Sequence, residues 1–180
     1  LGAIVLARHS LIAPEVIERA IRKINFIRGR MEMVIESPFR VIVDYAHTAD
    51  SLTKAYSVYK NGSKICVLGG TGGGRDKWKR PVMGSIAGEY CKYIILTNED
   101  PYDEDPRAII EDIARGIKKN NFEVIIDRRE AIKKALEIAK PGEVILITGK
   151  GTDPYIMGAN NEKIPWDDAA VVREEFAKLN

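Results

Sequence analysis

KICVLGGTGGGRDK, residues 64–77, joins an apolar run at 65–68 to a segment with five glycines in six residues, 69–74. A short apolar run bounded by glycine is typical of a buried strand that ends in a loop. Pro81 follows closely and suits the first turn of a helix that we predict to run to about residue 90. Strand, loop and helix in this order form the repeating unit of parallel sheets.

The same order of elements recurs along the chain. Apolar runs predict strands at 39–43, 65–68, 93–96, 122–126 and 144–147. Helices are predicted at about 49–59, 81–90, from 106 onward, at 131–139 and at 168–178. Thr48 is a candidate N-cap, and residues 127–130 have the form of a capping box. Because the strands are apolar runs, apart from Arg40 and Glu123, rather than strict alternations, helices should cover both faces of the sheet. The sequence therefore predicts an α/β fold with a doubly wound, Rossmann-like, mostly parallel sheet.

The first 34 residues do not follow this pattern. Residues 1–7 read as an apolar helix without a start methionine, Pro14 suits the start of a second short helix, and a basic loop follows at 25–30. The segment 36–38, Glu-Ser-Pro, reads as a boundary. We predict that residues 1–34 are the tail of a preceding domain and that 35–180 form the main domain of what is a piece of a longer protein.

Composition narrows the function classes. The 180 residues are 45% hydrophobic, which suffices for one core, and a net charge of +2 gives no reason to expect a nucleic-acid or membrane-surface protein. No apolar run approaches the ~20 residues that span a bilayer. Cys66 and Cys91 lack the spacing of a zinc site, so we expect two free thiols in a reducing cytoplasm.

Four of the predicted strands end in segments suited to binding a ligand. Ligands of such sheets bind beyond the carboxyl ends of the strands, where these loops should meet. The glycines at 69–74 allow close backbone approach, and the cations after them favour a carboxylate or phosphate; a flexible turn with solvated charges is the alternative. Neither a P-loop nor a dinucleotide fingerprint is present. The four segments are 44–48, 69–77, 97–102 and 148–153.

Other sequence features are weaker evidence for a functional site when each is considered alone. The turn at 149–151, Gly-Lys-Gly, is equally consistent with an ordinary tight turn. His47 is more typical of a hydrogen-bonding residue at a helix start than of a catalyst. The acidic segment 100–105 suits a solvated loop as well as a metal site. We therefore predict no metal site and no catalytic residue within this chain.

Six motifs in fixed order resemble the C-terminal domain of the Mur ligases, and within them the branch that adds the third amino acid of the peptidoglycan stem. The resemblance implies an ATP-dependent amide ligase that forms an acyl phosphate on a UDP-linked peptide precursor. The N-terminal and central ATPase domains, which hold the P-loop and most of the ATP and Mg²⁺ contacts, would lie outside this chain. The chain alone should therefore not catalyse ligation. The motifs are GRME at 29–32, DYAHT at 44–48, GGRDKWKRP at 73–81, EDP at 104–106, DRREAI at 127–132 and GKG at 149–151.

The resemblance also implies roles for individual residues. Those expected to contact ATP are Arg30, Asp44, Tyr45 and His47. Those expected to bind the incoming amino acid are Arg75, which would pair with its carboxylate, and Asp100, Pro101, Tyr102, Gly149 and Asp153. The family setting is cytoplasmic and involves neither nucleic acid nor a membrane.

Departures from the family pattern bear on the substrate. Members that add diaminopimelate carry Asp-Asn-Pro-Arg where this chain has Glu-Asp-Pro-Tyr at 99–102. An acid without the arginine favours a distal ammonium, which predicts L-lysine rather than meso-diaminopimelate. Alternatives are a pseudomurein, cyanophycin or folylpolyglutamate type of ligase, or a non-catalytic domain that binds an amino acid or nucleotide. A nicotinamide dehydrogenase is disfavoured by the missing fingerprint.

Overall fold

The computed structural model describes residues 1–24, 26–59 and 62–179. Its strands are β1 (Glu32–Ile35), β2 (Arg40–Asp44), β3 (Lys64–Leu68), β4 (Tyr93–Leu96), β5 (Phe122–Val124), β6 (Val144–Thr148), β7 (Tyr155–Met157) and β8 (Lys163–Pro165). Its α-helices are α1 (Gly2–His9), α2 (Pro14–Arg22), α3 (Ala49–Ser57), α4 (Lys79–Tyr90), α5 (Pro106–Ala114), α6 (Arg128–Ile138) and α7 (Asp168–Leu179).

The main sheet has the strand order β1-β2-β6-β3-β4-β5. All its neighbouring strands are parallel except β1, which runs antiparallel to β2. The last strand to join, β6, lies between β2 and β3, with Asp44 of β2 opposite Thr148 of β6. The chain therefore moves outward across the sheet from β3 to β5 and returns to its centre at β6. Such a reversal of strand order is where α/β sheets open a crevice for ligands.

Both faces of the sheet are covered, as the continuous apolar strands predict. Helices α3, α4 and α5 pack on one face around Ile42, Leu68 and Leu96. Helices α6 and α7 pack on the other face around Val43, Val67 and Ile147. Burial of these side chains stabilises the folded state by about 25 cal/mol for each Å² of apolar surface removed from water. The predicted doubly wound architecture is confirmed.

The capping residues in the sequence predicted where helices α3 and α6 begin. The Thr48 side chain accepts a hydrogen bond from the Ser51 backbone N–H and caps α3, as predicted. The Asp127 carboxylate accepts from the Glu130 N–H and caps α6, which begins three residues earlier than the 131–139 expected.

Three strands were not predicted from the sequence. Strand β1 pairs with β2, and the boundary predicted after residue 34 lies inside it, because the segment 36–38 is a turn between two paired strands. Strands β7 and β8 form a separate hairpin. Each of these strands has only three or four residues and lies outside the repeat of strand, loop and helix that identified the equally short β4 and β5.

Helices α1 and α2 bury no residue, so nothing in the main sheet packs on them. Ile4 and Ile17 line a groove of about 630 Å³ between them. The assignment of 1–34 to a preceding domain remains a prediction. None of the helices in the described ranges is long and apolar enough to cross a membrane.

The expectation of two free thiols is wrong. Cys66 in β3 and Cys91, directly after α4, form a disulfide with their Cα atoms 6.1 Å apart. Helix α4 runs back along the sheet from the end of β3, so its last turn returns to the level at which that strand enters the core. Both cysteines are buried among apolar side chains.

Reduction of this disulfide should destabilise the protein. Cross-linking two residues 25 apart lowers the entropy of the unfolded chain, and the expected loss on reduction is about 3 kcal/mol. Denaturant unfolding with and without tris(2-carboxyethyl)phosphine measures the difference. The Cys66→Ala/Cys91→Ala variant is the control and should show no dependence on reductant. Equal stability of oxidised and reduced wild type would contradict the prediction.

Candidate ligand-binding cleft

A cleft of about 310 Å³ opens at the carboxyl ends of β2, β3, β4 and β6. All four predicted loops contribute to it, which confirms that the topology brings them together. The cleft is lined by Tyr45, His47, Thr71, Arg75, Lys79, Glu99, Asp100, Tyr102, Gly149 and Asp153. Most of these side chains are polar or charged, so the cleft suits a polar ligand with several charged groups.

Most of the residues predicted from the sequence reach this cleft, and three do not line it. Pro101 is buried in the loop after β4. Asp44 lies behind the wall, where its two carboxylate oxygens accept hydrogen bonds from the Met31 and Ala46 backbone N–H groups. It therefore fixes the loop after β2, and only its remaining lone pairs are available to a ribose hydroxyl. Arg30 lies behind Tyr45.

Tyr45 forms one wall of the cleft. The Arg30 guanidinium lies 4.3 Å from the centroid of its ring, and the His47 ring packs edge-on at 4.8 Å. Partial burial and the hydrogen-bonded Asp153 carboxylate raise the pKa of Tyr45. The hydroxyl therefore stays protonated and donates to Asp153. This group of four side chains provides an aromatic surface with a cation on one side and a carboxylate on the other.

Asp100 is not the free acid that its position in the sequence suggested. The Lys150 ammonium, 1% exposed, donates to both Asp100 carboxylate oxygens at 2.8 and 2.9 Å. The Met157 backbone N–H also donates to this carboxylate, at 2.8 Å. The negative charge is therefore balanced within the protein. Asp100 joins the loops after β4 and β6 to the hairpin, and the expectation that it attracts a distal ammonium loses its basis.

Glu99 is the acid that sequence reasoning missed. It lines the cleft but is only 2% exposed, and its Oε1 accepts a hydrogen bond from the Thr71 hydroxyl at 3.0 Å. Its Oε2 has no hydrogen-bond partner among the described residues. Burial raises the pKa of Glu99, and the nearby Arg128 only partly offsets that effect. A buried carboxylate oxygen without a partner is costly unless a ligand supplies a donor.

The cations around the glycine-rich loop divide into two groups. Arg80 is 1% exposed and pairs with Glu104 and Asp112, and Lys77 also pairs with Glu104. Arg75 and Lys79 line the cleft and have no side-chain hydrogen bond or ion pair with any residue that the structure describes. The cleft thus has two cations available to a ligand.

A second buried ion pair holds the loops that carry the cleft. The Arg128 guanidinium donates twice to the Asp168 carboxylate at 2.8 Å, and both side chains are at most 1% exposed. The same guanidinium donates to the backbone carbonyls of Asn98 at 3.3 Å and Thr148 at 2.9 Å. These carbonyls immediately precede Glu99 and Gly149, so Arg128 fixes the backbone that presents both cleft residues.

No group of three or more His, Cys, Asp and Glu side chains within the described ranges is arranged to hold a metal ion.

A doubly wound sheet with a charged cleft at its switch point defines a ligand-binding α/β domain, and comparison with known proteins identifies its family. Residues 29–151 match the family model of the Mur ligase, glutamate ligase domain. The chain therefore belongs to the Mur ligase family, and the resemblance inferred from the six motifs is confirmed.

The similar proteins are more specific than the family. A UDP-N-acetylmuramoyl-L-alanyl-D-glutamate--2,6-diaminopimelate ligase of Aquifex aeolicus is 43% identical over 96% of this chain and 36% of its own length. The solved structure of a ligase of the same name gives a TM-score of 0.78 at 31% identity, covering 98% of this chain and 37% of that one. This chain thus spans a little over a third of these relatives.

The likeness extends more distantly to a pseudomurein peptide ligase type C from Methanothermus fervidus. That structure gives a TM-score of 0.65 at 16% identity, covering 97% of this chain and 33% of that one. At this identity the likeness shows the fold alone.

Arg128→Met should destabilise the protein by about 3–5 kcal/mol, because it leaves the Asp168 carboxylate buried without its partner. Arg129→Met is the matched control. Arg129 is the next residue and is 38% exposed, and its partner Glu175 keeps an ion pair with Lys178, so loss of the pairs of Arg129 with Glu174 and Glu175 should cost about 1 kcal/mol or less. Urea unfolding of both variants measures the difference. Equal losses of unfolding free energy would contradict the prediction that the buried Arg128–Asp168 pair contributes more than the exposed pairs.

The stability of Glu99→Gln relative to wild type should depend on pH. The raised pKa of Glu99 means that ionising it costs folding free energy, and this cost is absent at acidic pH and develops as pH rises through the folded-state pKa. The unfolding midpoint of Glu99→Gln should therefore rise relative to wild type as pH increases from the unfolded-state pKa of about 4.3 to the higher folded-state pKa.

Glu104→Gln is the control of opposite sign. Burial opposes the shift, but hydrogen bonds from Lys77 and Arg80 hold the pKa of Glu104 below its ordinary value. Its ionised form therefore stabilises the fold, and the variant should lose stability relative to wild type as pH rises from the lowered folded-state pKa of Glu104 to the unfolded-state value of about 4.3, with little further change above that pH. Thermal unfolding at several pH values tests both variants, and the same sign for the two would contradict the assignment.

Proposed function

We propose that this chain is the amino-acid-binding part of an ATP-dependent ligase that joins 2,6-diaminopimelate to UDP-N-acetylmuramoyl-L-alanyl-D-glutamate. The observation that carries the proposal is a cleft lined both by Glu99, whose Oε2 has no hydrogen-bond partner among the described residues, and by the free Arg75 guanidinium. An amino acid brings an ammonium and a carboxylate, which complement these two groups. The names of the relatives supply the reaction.

The chemistry that this proposal asks of the cleft is positioning. In the reaction the γ-phosphate of ATP is transferred to the peptide carboxylate, the amine attacks the acyl phosphate, and phosphate leaves as the amide forms. Arg75 would hold the carboxylate of the amino acid, and Glu99 and Asp153 would orient its two amino groups. The amino group that stays free is held as an ammonium, whereas the reacting one must be neutral when it attacks and loses a further proton as the amide forms. A nucleophile fixed at attack distance gains several kcal/mol over free encounter, so no dedicated base within this chain is required.

We propose diaminopimelate rather than the L-lysine that the sequence favoured. The preference for lysine depended on Asp100 as an unpaired acid, and Lys150 neutralises that carboxylate. Tyr102 lines the cleft where the diaminopimelate-adding members have arginine, so another cation must serve the second carboxylate. L-lysine remains the alternative to be tested directly.

ATP would be bound mainly by parts of the protein outside this chain, together with Mg²⁺. The contribution that we propose for this chain is Arg30, near the phosphates, and the wall formed by Tyr45 and His47. The exposed face of the Tyr45 ring and the adjacent guanidinium suit a nucleotide. Asp44 would support this wall from behind. We place the reaction in the cytoplasm, where UDP-linked precursors are made.

The decisive assay is amino-acid-dependent phosphate release by the full-length protein with ATP and UDP-N-acetylmuramoyl-L-alanyl-D-glutamate. We expect kcat/KM for meso-diaminopimelate to exceed that for L-lysine by about tenfold or more, equivalent to about 1.4 kcal/mol. The reverse preference would restore the lysine assignment. Release that is independent of the amino acid, or absent with every amino acid, would refute the proposed function.

Arg75→Met should raise KM for diaminopimelate by about 10- to 100-fold, because a charge-assisted hydrogen bond contributes about 1.5–3 kcal/mol. KM for ATP should change by less than about twofold. Arg107→Met is the control, since Arg107 is an exposed residue of α5 outside the cleft. Equal losses for ATP and amino acid would remove Arg75 from the amino-acid site.

A further inference from the structure

We infer that Lys79 binds the second carboxylate of the diamino acid and is the residue that selects a diaminodicarboxylate over lysine. The inference rests on the proposed function and adds to it a specificity-determining residue. The sequence motifs assigned no role to Lys79, and Tyr102, at the position where an arginine would be expected, carries no charge.

The first argument is the state of the Lys79 side chain. It is half-buried and lines the cleft, yet no carboxylate of the described residues pairs with it. Among the other lysines near the cleft, Lys77 pairs with Glu104 and Lys150 pairs with Asp100, so Lys79 differs from both. A partly desolvated ammonium that faces a cleft without an anion is stabilised when a ligand supplies one.

The second argument is the place of Lys79 in its helix. It is the first residue of α4, whose first turn contains no acidic residue. The positive end of the helix dipole disfavours a cation there and favours an anion. The unfavourable position is offset if a bound carboxylate lies between the ammonium and the amide groups of the first turn. The unpartnered, buried Glu99 Oε2 in the same cleft independently indicates a ligand.

The third argument is the balance of charge. Besides the neutralised Asp100, the cleft offers two unpaired cations, Arg75 and Lys79, the unpartnered Oε2 of Glu99, and the Asp153 carboxylate, which accepts from Tyr45 and lies 3.7 Å from the Lys150 ammonium. A diaminodicarboxylate carries two carboxylates and two amino groups and can satisfy all four. Lysine carries one carboxylate and would leave one cation of the cleft without an anion. Selectivity therefore comes from the group that stays unpaired when the wrong amino acid binds.

The test compares Lys79→Met with wild type in the full-length protein. KM for meso-diaminopimelate should rise about tenfold or more, with kcat changed less than about threefold. The apparent dissociation constant of L-lysine, measured by competition, should change less than about twofold, because lysine has no group for Lys79 to bind. Lys79→Arg keeps the charge and should retain most of the affinity for diaminopimelate.

Lys77→Met is the matched control, since Lys77 lies two residues away and outside the cleft. Its KM values should stay within about twofold of wild type. Equal weakening of diaminopimelate and lysine by Lys79→Met, a fall in kcat alone, or no change would each overturn the role of Lys79 while the proposed function stands. Wild type that uses lysine in preference to diaminopimelate, or neither, overturns both.

Discussion

The geometry of the cleft depends on a single guanidinium in the protein interior. Arg128 begins α6, yet its donors reach the carbonyls at the ends of two strands and the carboxylate at the start of α7. Trp166 donates its indole N–H to the same carboxylate. Two loops and two helices are thus fastened at one point. A buried charge of this kind is tolerated only when it is fully paired, so the four segments are held in one arrangement.

The remaining charges of the cleft follow from that arrangement. With the loops after β4 and β6 fixed side by side, Lys150 neutralises Asp100, and the adjacent Glu99 has one carboxylate oxygen without a donor. The protein interior lowers the screening between these groups, so each charge acts strongly on a ligand in the cleft. Rigid loops that hold unpaired charges are the arrangement that fixes a reacting amine in place.

The sequence was sufficient for the fold because its signals are redundant. Five apolar runs alternate with helices whose starts are marked by Thr48, Pro106 and Asp127, and each signal agrees with the next. The short β1 and the β7–β8 hairpin were not predicted because they lie outside the repeat of strand, loop and helix, which identified the equally short β4 and β5. The disulfide was not predicted because Cys66 and Cys91 are brought together by the packing of helix α4 on the sheet, which their spacing in the sequence does not show.

The sequence predicted which loops form the cleft but not which charged side chains form ion pairs within it. Parallel topology sends four loops to one edge, so residues such as Arg75 and Asp153 could be placed in the cleft from the sequence. Which carboxylate is neutralised depends on side-chain contacts, and adjacent acids at 99 and 100 look alike in a sequence. Only the structure shows that Lys150 reaches Asp100 and leaves Glu99. Lys79 was overlooked for a related reason, since three other cations, Arg75, Lys77 and Arg80, surround it in the sequence.

The close approach of Gly29 to Gly151 constrains how the chain can move. Both glycines have positive φ angles, +62° and +51°, and a Cβ on Gly29 would lie 2.5 Å from the Gly151 carbonyl carbon. The backbone at Gly29 is thus wedged against the rim of the cleft, and the Gly29 N–H is held by Glu32. Residues from Gly29 onward move with the sheet as one body. Any hinge between the sheet and the helices α1 and α2 must lie before Gly29, so reorientation there leaves the cleft itself undistorted.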